Sequence, residues 1–269
     1  MKELIQMKQY EKYVVAFLDI LGFKKLINDK DFSDIFVIQI DNKVIAESGA
    51  KGILYREKAN DEHASIKGNP KYDEKRMRYN DTLESAFIHI MSDSIVVAAK
   101  DNCPEALAVV IDICDLIQKQ MLYNDEPVLL RGAIAVGDLY IKDNIVFGKG
   151  LVDAYLAQEK YAVYPRVIIA NDIIKERIVS IDSDHDLPQD EDKYYRIDSI
   201  ERFLNVEKAN SWSEIEESNE YRRLKKLTEK MLDKYNEDRV RQKYIWIDNV
   251  LFQIERRIKA EIEGLLIMK

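Results

Sequence analysis

Two aspartates hold the clearest chemical potential in this chain. Asp19 lies in FLDILGFK (17–24), where an apolar run ends on a single carboxylate and breaks at Gly22, and Asp93 lies in MSDS (91–94) between two apolar runs. If the strands that carry them are sheet neighbours, the two carboxylates meet at one end. They would repel each other and lose hydration unless a cation lay between them. Hard oxygen donors suit Mg²⁺ or Mn²⁺, which bind through one or two carboxylates and complete their shell with water and substrate phosphates. That is the chemistry of nucleotides. Leu21, Gly22 and Phe23 follow Asp19 and are expected to offer backbone N–H groups to phosphate oxygens where a helix begins. Taken singly, either aspartate reads equally well as a helix cap or a salt-bridged residue. The pair together with the glycine break favours a metal site.

The elements that must position these residues follow from periodicity. YVVAFLDI (13–20) is a continuous apolar, β-branched run and predicts a buried strand, followed at Gly22 by a short helix and by a second helical stretch over 32–50. Residues 51–82 are charged, with a turn signal at Gly68-Asn69-Pro70, and are expected to be an exposed insertion with room for a short hairpin. SAFIHIMSDSIVVAAK (85–100) predicts a hairpin with its acidic tip at Ser92-Asp93-Ser94. CPEALAVVIDICDLIQKQML (103–122) predicts a helix with Pro104 and Glu105 in its first turn. VLLRGAIAVGDLYI and NIVFG then predict a strand pair, GLVDAYLAQEKYA a helix, and RVIIAN and YYRID strands. Hairpins mixed with crossover helices imply an α+β fold, a mixed or antiparallel sheet covered by helices on one face. From this order we expect a unit of sheet and helices over 1–200 and a charged helical extension over 201–269 packed on it. Trp212 and Trp246 in that extension read as packing anchors.

Composition excludes several classes. The 269 residues are 46% hydrophobic and 33% charged with a net charge of −8, which suits a folded chain and argues against a nucleic-acid partner. The two cysteines, Cys103 and Cys114, have no zinc-ligand spacing and predict a reducing, cytoplasmic setting. No signal-peptide or membrane-span pattern is present in the sequence, so no membrane role is expected.

FLDILGFK resembles the FxDIxGFT signature of class III nucleotidyl cyclases, MSDSIVVA resembles their second metal-bearing hairpin, and LLRGAIAVGDLY is similar to the RxGIxxG strand that follows. The resemblance covers about residues 10 to 200 in element order and implies a ferredoxin-like core. It implies two divalent ions, Mn²⁺ or Mg²⁺, per site, with Asp19, Asp93 and the Ile20 carbonyl as ligands and Arg131 on the triphosphate. It also implies a homodimer whose two sites are shared between chains. The extension is expected either to add to that interface or to form a solvated cover.

The departures narrow the resemblance. Purine-specific members carry a lysine four residues before the second metal aspartate, and here that position is His89, although a strand histidine is more often a packed residue. Their transition-state Asn/Arg pair corresponds to Asp153 and Ala157, with Lys160 one turn further along. This pattern looks like the pyrimidine cyclases of bacterial anti-phage Pycsar systems. That likeness implies UTP or CTP as substrate, cyclic UMP or cyclic CMP as product, and a separate cyclic-nucleotide-binding effector. Substrate contacts are then expected from Leu21, Gly22, Phe23, His89, Arg131 and Asp153. The alternatives are an adenylate or guanylate cyclase, or a catalytically silent binding or dimerisation module.

Overall fold

The computed structural model describes residues 10–28, 70–124, 127–143, 145–170, 172–173, 177, 187–236 and 238–267. β1 (Glu11–Ile20) is central, with β3 (Ser94–Lys100) antiparallel on one side and β4 (Leu130–Lys142) antiparallel on the other. β2 (Phe87–Met91) forms one edge by pairing with β3. Beyond β4 come β6 (Val167–Ile169), parallel to it, and β7 (Tyr195–Arg196), antiparallel to β6; β5 (Ile145–Phe147) folds back on the far end of β4. The order β2-β3-β1-β4-β6-β7, with β5 paired to β4 off that path, makes a seven-stranded mixed sheet, so the α+β expectation holds. Its parallel step is the one made through a crossover helix, α4 (Lys149–Tyr161). After β1 comes the single turn α1 (Phe23–Leu26).

The apolar continuity of β1 has a simple cause: both of its faces are covered. Val14, Ala16, Leu18 and Ile20 join a core with α2 (Pro70–Ser85) and α3 (Glu105–Leu122). Tyr13, Val15 and Phe17 turn the other way, where α4 lies against β1 and β4. Helices therefore lie on both faces, and the expected one-sided cover is corrected. Fully buried side chains such as Leu18, Ile95 and Ile134 each contribute about 1.5–3 kcal/mol on leaving water.

Residues 70–82 are a second correction. They form most of α2, whose Tyr79 and Leu83 are buried and whose Tyr79 hydroxyl donates to Asp112 of α3 at 2.5 Å. The predicted helix over 32–50 and the rest of the insertion, 51–69, lie outside the described residues.

The C-terminal segment runs as α5 (Ser199–Phe203), α6 (Trp212–Glu217), α7 (Asn219–Lys234) and α8 (Asp238–Ile267). A second apolar cluster joins Phe203, Trp212, Ile215, Leu224, Ile247 and Val250 to Leu122 and Leu129 at the ends of α3 and β4. Trp212 is a buried anchor, as expected, and Trp246 stacks on Tyr164 at 5.9 Å. Among the described residues no helix is long and apolar enough to cross a membrane.

Candidate active site

Three strands bring the chemical residues to one end of the sheet. Asp19 is the register partner of Ser94 on β3 and of Arg131 on β4. The β2–β3 turn, with Ser92 at φ 58°, places Asp93 beside the end of β1, where the Ile20 N–H donates to the Asp93 carbonyl at 2.8 Å. Because side chains alternate, Phe17, Asp19 and Arg131 share the face that carries α4. A cavity of about 860 Å³ opens there, lined in part by Asp19, Ile20, Leu21, Gly22, Phe23, Asp93 and Arg131.

Arg131 is the electrostatic hub. Its Nε donates to Asp19 Oδ2 at 2.7 Å and its Nη2 to Glu159 Oε1 of α4 at 3.3 Å. The salt-bridged reading of Asp19 is thus realised in this state, and a cation does lie at the Asp19 carboxylate, supplied by the chain itself. Divalent ions fit the donors: Asp19 and Asp93 offer two hard carboxylates, with the Ile20 carbonyl between them in sequence. Among the described residues no group of three or more acidic, histidine or cysteine side chains gathers as a metal cage. An ion here would take its remaining ligands from water and phosphate, as Mg²⁺ and Mn²⁺ do.

The other predicted residues are placed less simply. The Leu21 N–H is spent on the Leu129 carbonyl at 2.9 Å and is not offered to a ligand. α1 is one turn of four residues, too short for a strong terminal dipole. Gly22 is exposed at φ +78°, a left-handed value that glycine adopts without strain. His89 stacks on Phe87 at 5.8 Å and lies on the active face in the row Phe17–Val96–His89, outside the cavity lining. Asp153 pairs with Lys149 along α4 and is also outside it. Ala157 packs into a small cluster with Ala133 and Ile168, and Lys160 lines a different cavity of about 550 Å³ with Arg166 and Trp246.

The cavity instead receives Tyr155, Gln158 and Glu159 from α4, with Tyr155 edge-on to Phe17 at 5.4 Å. Lys24 belongs to α1 and Asn28 follows it, and Lys243 arrives from α8. Burial and the neighbouring Arg131 charge hold the Lys243 ammonium below its ordinary range, against the pull of Asp19. Close approach fixes α4: a Cβ on Gly137 would sit 2.8 Å from the Gly150 backbone, so the helix rests directly on β4. The α4 and Lys243 contributions were missed. Their signals were the i, i+4 pair Tyr155 and Glu159, and a lysine one turn before the apolar stripe of α8.

No protein-family model and no curated protein matches the sequence. Among solved structures, the chain is similar to the monomeric guanylyl cyclase domain of the RhoGC fusion protein from the aquatic fungus Blastocladiella emersonii, at 14% identity and a TM-score of 0.41, over 70% of this chain and 95% of that one. It is similar to the adenylyl cyclase CyaB from P. aeruginosa at 13% identity and a TM-score of 0.36, over 70% and 93%. A third similar structure is the adenylate/guanylate cyclase/hydrolase from Silicibacter pomeroyi, at 13% identity and a TM-score of 0.38, over 70% and 95%.

Proposed function

We propose that this chain is a class III-type nucleotidyl cyclase that converts UTP or CTP to the 3′,5′-cyclic monophosphate and pyrophosphate. The observation that carries the reading is the convergence of Asp19, Asp93 and Arg131, from β1, the β2–β3 turn and β4, on one cavity. The cyclic nucleotide would act as a phage-infection alarm through a separate binding effector. The grounds for this finer reading are the sequence resemblance and His89, which stands where purine members carry a lysine.

In the reaction the ribose 3′-oxygen forms a bond to the α-phosphorus, the bond from that phosphorus to the β-phosphate oxygen breaks, and the hydroxyl proton leaves to solvent. Asp19, Asp93 and the Ile20 carbonyl would hold two Mn²⁺ or Mg²⁺ ions. When bound, the ions lower the pKa of the hydroxyl and neutralise phosphate charge. Arg131, released from Asp19, would turn its planar fork to the triphosphate. His89 and Asp153, both outside the lining of their own chain's cavity, would meet the base and the ribose at a partner chain's site. A homodimer is what the resemblance implies, and Phe147 on β5 and Leu156 on α4 are large apolar side chains left exposed and available to it.

One observation favours a catalytically silent binding or dimerisation module instead: Ala157, at the arginine position of the transition-state pair, packs among apolar neighbours and supplies no charge. Incubation of the purified chain with Mn²⁺ and each of ATP, GTP, CTP and UTP, with products identified by mass spectrometry, separates the readings. A cyclic monophosphate from UTP or CTP alone is expected. Products from ATP or GTP alone would mean a purine cyclase, and four intact triphosphates would leave the silent module.

A further inference from the structure

Lys243 reaches the active cavity from outside the sheet unit, and the register of α8 explains how. The residues of α8 that pack inward are Ile247, Val250, Leu251, Ile254 and Ile258, recurring at three and four positions. Lys243 stands one turn before Ile247 on the same line, so its stem leaves the helix toward the body of the protein. Two side-chain contacts hold the helix axially: the ion pair of Asp248 of α8 with Lys225 of α7 at 2.6 Å, and the hydrogen bond that Arg257 of α8 donates to Glu201 of α5.

The electrostatic setting is unusual for a lysine. Lys243 forms no ion pair with a described residue, whereas Asp19 and Glu159, two carboxylates lining the same cavity, are both engaged by Arg131. The charges it feels are Arg131 and Arg239, which push against it, and Asp19, which pulls. A half-buried ammonium beside an arginine is unfavourable unless an anion arrives. The cavity is lined by three cations, Lys24, Arg131 and Lys243, and three carboxylates, Asp19, Asp93 and Glu159; Arg131 engages two of those carboxylates, which leaves the Lys243 ammonium to meet an anionic ligand such as a polyphosphate.

We propose that Lys243 is a substrate-binding residue whose ammonium receives polyphosphate oxygens, so that α8 of the C-terminal segment forms one wall of the active site. The proposal rests on the nucleotide reading of the cavity. It gives the extension a role in substrate capture: the contacts that hold α8 on the body also set the affinity for triphosphate.

The test is calorimetric titration of the full chain with Mn²⁺–tripolyphosphate, Mn²⁺–UTP (as its α,β-methylene analogue, which the reaction cannot cleave) and Mn²⁺–UMP, comparing the unmodified protein with Lys243→Met and Lys243→Arg. The methionine keeps the stem that packs, and thermal unfolding followed by circular dichroism checks that each variant folds. Lys243→Met should weaken tripolyphosphate and UTP about 10- to 100-fold, the range of a charge-assisted contact, and leave UMP nearly unchanged. Lys243→Arg should stay within a few-fold of the unmodified protein. If Lys243→Met does not fold, Lys243→Gln carries the same expectation. Unchanged affinity in a folded variant, or no tripolyphosphate binding by the unmodified chain, overturns the proposal. Loss of binding on substitution, in a chain that cyclises no triphosphate, upholds the Lys243 contact while the cyclase reading falls.

Discussion

Arg131 Nε donates to Asp19 Oδ2 at 2.7 Å across the β1–β4 pair, with both side chains only 19% exposed. The carboxylate suited to a divalent ion is therefore already neutralised by an arginine suited to phosphate. If Asp19 holds a divalent ion, that ion competes with Arg131 for the carboxylate. We expect Mn²⁺ alone to bind weakly and Arg131→Met to strengthen that binding several-fold, because the competing cation is gone. The same variant should lose about 10²–10³ in turnover, as when a preorganised donor to developing charge is removed. Titration by Mn²⁺ paramagnetic resonance reads the first effect. Equal Mn²⁺ affinity in the two proteins would mean that Asp19 does not hold the ion.

The two aspartates should separate in stability while agreeing in activity. The Asp93 backbone carbonyl, not its side chain, accepts the Ile20 N–H, and its carboxylate makes no hydrogen bond to another described residue. Asp93→Ala should change unfolding free energy by no more than about 0.5 kcal/mol. Asp19→Ala strips Arg131 of its better partner and leaves it, among the described residues, with Glu159, so it should cost about 1–3 kcal/mol. Both should abolish turnover. Urea unfolding beside an activity assay checks the pair, and equal stability losses would contradict the geometry.

The sheet and its acidic corner were legible because their signals are local. The apolar run of 13–20, the Ser92-Asp93 turn and the strand after Leu129 each announce themselves within a dozen residues, and β1 lies between the other two. What escaped was set by tertiary register. The α4 residues were chosen by motif alignment, yet the helix rotates Tyr155, Gln158 and Glu159 toward the cavity because Gly150 must sit against Gly137. The charge density of 70–82 suggested exposure, but a stripe through Tyr79, Thr82 and Leu83 was enough to bury one side of α2 on α3. Lys243 was hidden for the opposite reason: a lysine in a charged helix looks solvated until Ile247, Val250 and Ile254 reveal which side faces in.

The Gly137–Gly150 contact positions the whole α4 contribution. A Cβ at Gly137 would meet backbone atoms of Gly150 at 2.8 Å, and backbone cannot swing away as a flexible side chain can. Gly137→Ala should push α4 off β4, costing about 1–3 kcal/mol as overpacking does. Because Tyr155 and Glu159 move with the helix, turnover should fall more than stability alone explains. Activity measured well below the unfolding temperature makes the distinction, and full activity there would show that α4 has slack.

The docking of α8 should depend on pH through Glu201. Burial pushes the Glu201 carboxyl from its ordinary 4.5 up to about 7, with Asp198 adding repulsion, against the pull of Arg257 on α8. A carboxyl raised in the folded state contributes its stability fully below the unfolded pKa and loses it as pH climbs through the folded one. Between about pH 4.5 and about pH 7 the unfolded state ionises while the folded state holds its proton, so the melting temperature should fall across that interval and level off above it. Glu201→Gln removes the titration and should flatten the profile while keeping a hydrogen-bonding partner for Arg257. If Lys243 captures polyphosphate from α8, affinity for Mn²⁺–tripolyphosphate in the glutamine variant should likewise lose whatever pH dependence arises from helix docking. A melting profile as steep in Glu201→Gln as in the unmodified chain would place the pH-sensitive contact elsewhere.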